Sequence, residues 1–264
     1  MHGRSYLKRN KRFNQNEIFN FGISISISIS ISILVSCKNN STMSLDKTDD
    51  RVVNAQKVYQ QSIEKDLVNH GIDIKGYEVF LQAFKAERVL EVWVKNKTES
   101  KWAKLSEYPF CQFSGQLGPK RKEGDLQIPE GFYHIDRYNP KSNFYLSLGL
   151  NYPNAADLHF ADAQRPGGDI FIHGGCKTVG CIPITDEKIA PLYLLTLAAF
   201  DQGQAKIPMH IYPTKLTDEN LIVIGKEYPQ HLVFWRQLKV AYEYFDRRKE
   251  LIDFEVGATG EYVF

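Results

Sequence analysis

The sequence predicts a β-rich, mixed α+β domain with flanking helices. Seven short runs rich in β-branched and aromatic residues support this, with only three stretches of helical periodicity before, among and after them. Strands and helices do not alternate in the rhythm that builds a parallel sheet. Hydrophobic residues make up 43% of the 264 and aromatic residues 12%, so the chain can bury a sizeable core. The same composition excludes collagen, a coiled coil and a disulfide-dense miniprotein.

The first 36 residues read as a lipoprotein signal peptide. Arg4, Lys8, Arg9, Lys11 and Arg12 form a basic segment, and an apolar stretch with an Ile-Ser alternation over residues 23–33 follows it. The apolar run has signal-peptide length and is short for a membrane span. It ends in Leu34, Val35, Ser36 and Cys37, a sequence that resembles a bacterial lipobox, in which the cysteine receives lipid and becomes the first residue. An Ile-Ser alternation also suits a buried edge strand; the order of basic flank, apolar core and cysteine favours export. On this reading Cys37 anchors the mature chain to a lipid membrane, at the cell envelope and facing the periplasm or exterior. Residues 37–50 are polar and form a flexible tether, leaving residues 51–264 as one folded domain.

That domain opens with helical spacing over residues 51–70, where Val52, Ala55, Tyr59, Ile63 and Leu67 share a face and Gly71 stands at the C-terminal cap. Residues 77–84 and 89–94 are β-rich and joined by four residues, as in a hairpin. Residues 101–113 continue as strand, and residues 114–131 are a loop rich in Gly, Lys and Glu. Short strands follow at 132–136, 144–150, 169–173 and 209–212. A helix at 186–200 has Thr185 at its N-cap and acids in its first turn. A last helix covers residues 230–248 and carries five aromatic side chains.

The charge balance narrows the partners. Of 33 basic and 31 acidic residues, the first 36 positions hold five basic residues and Glu17. The remainder has 28 basic and 30 acidic residues, so no nucleic-acid partner is expected of it.

Four cysteines occur: Cys37, Cys111, Cys176 and Cys181. Setting aside Cys37 leaves an odd number in an oxidising compartment, so at least one thiol is unpaired within the chain or otherwise employed. His173, Cys176 and Cys181 lie in HGGCKTVGC, between a strand and a helix, and its three glycines let the loop turn tightly. Three readings fit the segment. The cysteines and His173 are ordinary buried residues; or His173, Cys176, Cys181 and Cys111 bind zinc as a Cys3His set, although H-x2-C-x4-C is not a common finger spacing. In the third, Cys181 is a nucleophile whose pKa is lowered by an imidazole and a following helix N-terminus, with His173 as base. No G-x-S-x-G, H-E-x-x-H, P-loop or G-x-G-x-x-G motif offers another centre.

At HGGCKTVGC the chain resembles the catalytic segment of the YkuD-type L,D-transpeptidases, and most closely their YafK-like branch. FKAERVLEVWV from Phe84, YPFCQFSGQLGPKRKEGDLQIPEGFY from Tyr108, LGLNYPNAAD from Leu148, GGDIFIHGGCKTVGCIPITDEKI from Gly167 and HLVFWRQLKVAYEYF near the end extend the likeness over residues 77–246. The resemblance implies a β-rich catalytic domain that acts on peptidoglycan stem peptides through a cysteine acyl-enzyme. It makes Cys181 the nucleophile and His173 the base. Gly174 or Gly175 supplies the carbonyl that fixes the imidazole, and the amides of Gly180 and Cys181 are oxyanion donors. Val179 stands where the common transpeptidase pattern has a second His, Thr178 stands for its usual Ser, and the His-to-Cys loop is short. Those departures suit the YafK-like branch and weaken the case for a cross-linking reaction. Cys111 and Cys176 correspond to cysteines of that branch and are candidates for a disulfide. Lys120, in the basic loop with Arg121 and Lys122, is a candidate for a substrate carboxylate, and Tyr152 and Asn154 for lining the cleft. A Cys-His mechanism requires no metal or organic cofactor. A hydrolytic L,D-carboxypeptidase or amidase would use the same residues; a non-catalytic wall- or zinc-binding lipoprotein is the alternative outside enzymes.

Overall fold

The computed structural model describes residues 46–264; the expected signal peptide, Cys37 and most of the expected tether lie outside these residues. Residues 46, 47 and 49, expected in the tether, make contacts with the domain. Lys47 pairs with Asp201 at 2.6 Å, Asp46 with Lys141 at 3.3 Å, and the Asp49 carboxylate accepts from the Arg51 amide to cap the first helix.

Helix α1 (Asp50–Asn69) is followed by strands β1 (Tyr77–Phe84), β2 (Val89–Asn96), β3 (Ala103–Pro109), β4 (Gly131–Ser142) and β5 (Tyr145–Leu150). A short helix α2 (Ala155–Phe160) precedes β6 (Phe171–His173) and β7 (Ile182–Pro183). Then come α3 (Asp186–Asp201), β8 (Ile207–Tyr212), α4 (Asp218–Glu227), α5 (Leu232–Arg248) and a small pair, β9 (Glu255–Val256) and β10 (Tyr262–Val263). Eight strands form one sheet in the order β3-β2-β1-β8-β4-β5-β6-β7, mostly antiparallel, with β1–β8 and β6–β7 parallel. This is the mixed α+β, sheet-rich arrangement with flanking helices that the sequence predicts.

Alternation along the strands divides the sheet into two faces. Val79, Leu81 and Ala83 of β1, Ile135 of β4 and Leu148 of β5 join one core with α1 and α3. Phe84, Phe132 and Tyr212 face the other way, into a core built on Trp235, Leu238 and Tyr242 of α5. Towards β5 and β6 that second covering ends, and the sheet face bearing His173 is open.

Residues 111–130 have no regular structure, yet they are fixed from beneath. Lys85 and Glu130 form a wholly buried ion pair at 3.0 Å. Lys85 also donates to the carbonyls of Gly118 (2.7 Å) and Ile128 (2.8 Å), while Glu130 accepts from the Gly118 amide and Trp235 Nε1, both at 2.7 Å. Every donor and acceptor is matched, as a buried pair requires. The pair thereby ties the loop to β1, β4 and α5. Two expectations fail locally. Thr185 makes no side-chain cap to α3 and instead takes φ 73°. The strand expected over residues 101–113 stops at Pro109, where Cys111 turns to bond the Pro183 carbonyl.

Candidate active site

Strand β6 delivers His173 and β7 begins directly after Cys181, so parallel pairing of Ile172 with Ile182 brings the two ends of the HGGCKTVGC loop side by side. Gly175 (φ 63°) and Gly180 (φ 129°) take the left-handed backbone this return needs. At Gly174 the constraint is space: a Cβ would collide with the Asp186 carboxylate and lie 2.7 Å from the Phe144 carbonyl.

His173 and Cys181 line one cavity of about 270 Å³ together with Asn139, Ser147, Phe144, Asp169 and Phe171. The buried His173 ring stacks on Phe144, centroids 4.6 Å apart, and its Nδ1 lies 2.5 Å from the Gly174 carbonyl. A carbonyl only accepts, so Nδ1 carries the proton and Nε2 keeps its lone pair for use as a base. Of the two glycines considered for that carbonyl, it is Gly174; the Gly175 oxygen lies 3.1 Å from Cys111 Sγ instead.

The electrostatics differ from the sequence expectation. Burial pushes the Cys181 thiol up, with the nearby Asp169 charge adding to it, while Lys120 and the Phe171 backbone pull the other way. Burial also lowers His173, against the bond to Gly174. Helix α3 begins at Asp186, five residues beyond Cys181. Asp186, in its first turn, bonds the Gly175 amide at 2.8 Å. Both shifts favour the uncharged forms, a thiol and a neutral imidazole, and the Cys181 sulfur lies 3.6 Å from the Asp169 carbonyl.

The other predicted residues separate. Cys111 and Cys176 are joined in a disulfide, Cα atoms 5.4 Å apart, and Cys181 is a thiol. That bond removes two of the four ligands of a Cys3His zinc set; among the described residues no group of three or more metal-binding side chains is gathered. Lys120 is buried and engaged with Asp125 (2.6 Å) and the Lys122 carbonyl, so its ammonium is not a vacant carboxylate receptor, although it lines a second cavity of about 260 Å³ on Cys181. Tyr152 and Asn154 do not line either cavity. The buried Tyr152 hydroxyl braces Pro166 and Lys120 carbonyls, and Asn154 caps α2 and bonds the Phe132 carbonyl. The Gly180 and Cys181 amides, expected as oxyanion donors, both donate to Thr178 Oγ1, at 3.3 and 2.8 Å. Sequence reasoning passed over Phe144, Asp169 and Asp186. Only Asp169 had a local signal, its position after Gly167 and Gly168 and before the strand.

A cysteine and a histidine held by adjacent strands at an open sheet face define the class, and comparison gives it a family. Residues 78–205 match the L,D-transpeptidase catalytic domain, YkuD, and the chain belongs to the L,D-transpeptidase family. It is 34% identical over 179 residues to YafK of Escherichia coli (strain K12), a curated protein assigned provisionally to that activity; the match covers 67% of this chain and 70% of YafK. Among solved structures, the helical cell shape determining protein Pgp2 from Campylobacter jejuni matches with TM-score 0.42 and 21% identity, over 70% of this chain and 65% of that one. Bd1075 of Bdellovibrio bacteriovorus matches with TM-score 0.39 and 20% identity, over 61% and 58%.

Proposed function

We propose that the protein is a lipid-anchored, peptidoglycan-modifying enzyme of the cell envelope that transfers or hydrolyses stem-peptide acyl groups through Cys181. The observation carrying this reading is the shared cavity of Cys181 and a His173 whose Nδ1 proton is held by the Gly174 carbonyl. Family membership supplies the substrate class. Attack of Cys181 Sγ on a carbonyl that follows an L-centre and precedes a D-centre forms the S–C bond. His173 Nε2 takes the thiol proton and returns it to the departing nitrogen as the C–N bond breaks. An acceptor amine or water then attacks the thioester, His173 takes the acceptor's proton, and the thiol is restored. Amine gives transfer; water gives a carboxypeptidase or amidase with the same residues.

Mass spectrometry of purified muropeptides incubated with the protein tests the reading. Cross-linked, trimmed or protein-released products each identify an acceptor, and unchanged muropeptides refute the activity.

A further inference from the structure

Two neighbouring cross-strand rows on one sheet face meet at the cavity that holds His173, and of their residues Asn139, Ser147, His173 and Phe171 line it. Asn139, Ser147 and His173 form one; Arg137, Gly149 and Phe171 form the next. Such rows lie about 7 Å apart along the strands. Beside Arg137 strand β4 carries a bulge, with Asp136 as its extra residue, which re-aims the side chain that follows. Gly149 leaves the path over β5 open: a Cβ there would lie 2.8 Å from Arg137 Nε. The guanidinium crosses that gap and stacks on Phe171, 4.9 Å from the ring centroid. Its Nε donates to Asp136 at 3.1 Å and its Nη1 to Asp169 at 2.9 Å.

These holds are unequal. The Phe171 ring, the bulge and Asp136 orient the guanidinium from its own sheet face. Asp169 is on a loop, its side chain 81% exposed, and an ion pair so placed contributes little. Asp169 is therefore exchangeable for another carboxylate. Both Asp169 and Phe171 line the cavity with Cys181 and His173, which sets Arg137 at its rim. Lys120, which lines the second cavity on Cys181, is already engaged with Asp125.

The chemistry says whose carboxylate arrives, and here the argument rests on the acyl-transfer reading above. His173 must hand its proton to the departing nitrogen, and later take one from an accepting nitrogen, so that nitrogen lies in the cavity His173 lines. The second cavity on Cys181 does not include His173. An amino acid that leaves or accepts there carries its α-carboxylate two bonds from the nitrogen. We propose that Arg137 receives this α-carboxylate, displacing Asp169, and so selects an amine component with a free carboxylate. A planar, permanently charged fork suits the task, because it can hold both carboxylate oxygens.

The test uses Cys181→Ala protein, which binds without turnover, and two synthetic stem peptides ending in the same D-amino acid as free acid or as carboxamide. Calorimetry should find the acid bound at least tenfold more tightly. Adding Arg137→Gln should equalise the two, and Arg137→Lys should keep part of the ratio. Asp169→Asn removes the competing anion, and asparagine tolerates the φ of 52° at this position, so the acid should bind several-fold more tightly with the carboxamide unchanged. A ratio that survives Arg137→Gln, an Asp169→Asn protein altered equally towards both peptides, or no discrimination at the outset overturns the assignment. Turnover by the unsubstituted protein is read separately: muropeptides left intact refute the acyl-transfer reading, whereas processing without acid-over-amide discrimination refutes only the role of Arg137.

Discussion

At the scale of single residues, burial moves His173 and Cys181 in opposite directions, and both towards the uncharged form. The catalytic consequence is that His173 remains a competent base below the ordinary histidine pKa of about 6.5. The acid limb of the pH profile of kcat/KM should therefore lie below pH 6.5; a limb above pH 7 would contradict the lowering of His173. His173→Ala should lower kcat by roughly 10²- to 10⁴-fold, the usual scale of general acid–base catalysis, measured by muropeptide turnover. His210 offers a separate check on buried histidine. Fully enclosed among Phe80, Phe132 and Tyr212, it is lowered to about 3 by burial alone. The unfolded chain therefore takes up the proton first. The stability this histidine contributes is complete above pH 6.5 and is lost as pH falls towards 3, at about 1.4 kcal/mol per pH unit. Asp157, raised to about 6 by burial, acts in the opposite sense between pH 4 and 6, but it is common to wild type and variant. Urea unfolding should thus find the gap between wild type and His210→Gln shrinking as pH drops below 6.5; a constant gap contradicts this account. His173 and Cys181 were legible in the sequence because glycines and a shared short loop surround them. The partners of Tyr152 and Asn154 were not, since Pro166 and Phe132 meet them only through tertiary packing; Asp125 is near Lys120 in sequence, but the turn that pairs them has no regular structure.

At the scale of elements, the site depends on an irregular segment, residues 111–130, made rigid by a few strong ties. Removing one member of the buried Lys85–Glu130 pair strands the other charge. Glu130→Ala should destabilise by about 3–5 kcal/mol, and Lys85→Met with Glu130→Gln together should recover much of it, as read by urea unfolding. The disulfide is the second tie, holding the His-to-Cys loop to the chain after β3. Cys176→Ala should cost roughly 2–4 kcal/mol of stability and still leave Cys181 able to react. Strands rich in β-branched and aromatic residues, β1 and β2 above all, were readable to within two residues, and so was α1 with Gly71 beyond its end. Helices α2 and α4 went unread: the first is six residues long, and the second has only Leu221 and Ile224 buried. The signal for α4 was present in Thr217, which caps it, followed by Asp218 and Glu219. Strand β4 runs further than expected, to Ser142, with register shifts at Ile135/Arg137 and Asn139/Ser142.

At the scale of the whole molecule, the near-neutral domain and the basic, apolar leader belong to one proposal: a wall-facing enzyme on a lipid tether. Cleavage before Cys37 and acylation of its thiol should place the protein in the membrane fraction, and Cys37→Ser should remove it from there; normal membrane partition of that variant would contradict the anchor. On the proposed reading, the open face beside β5 and β6, beyond the core covered by α5, is where a peptide would reach Cys181. The central claim is that Cys181 carries the acyl group. Its most direct measurement is peptide mapping by mass spectrometry after brief incubation with muropeptides. The account predicts a stem-peptide acyl mass on the peptide containing Cys181, released by hydroxylamine as a thioester would be, with Cys111 and Cys176 still bridged and no adduct in Cys181→Ala. Acylation at Cys176, or muropeptide processing by the Cys181→Ala protein, would contradict it.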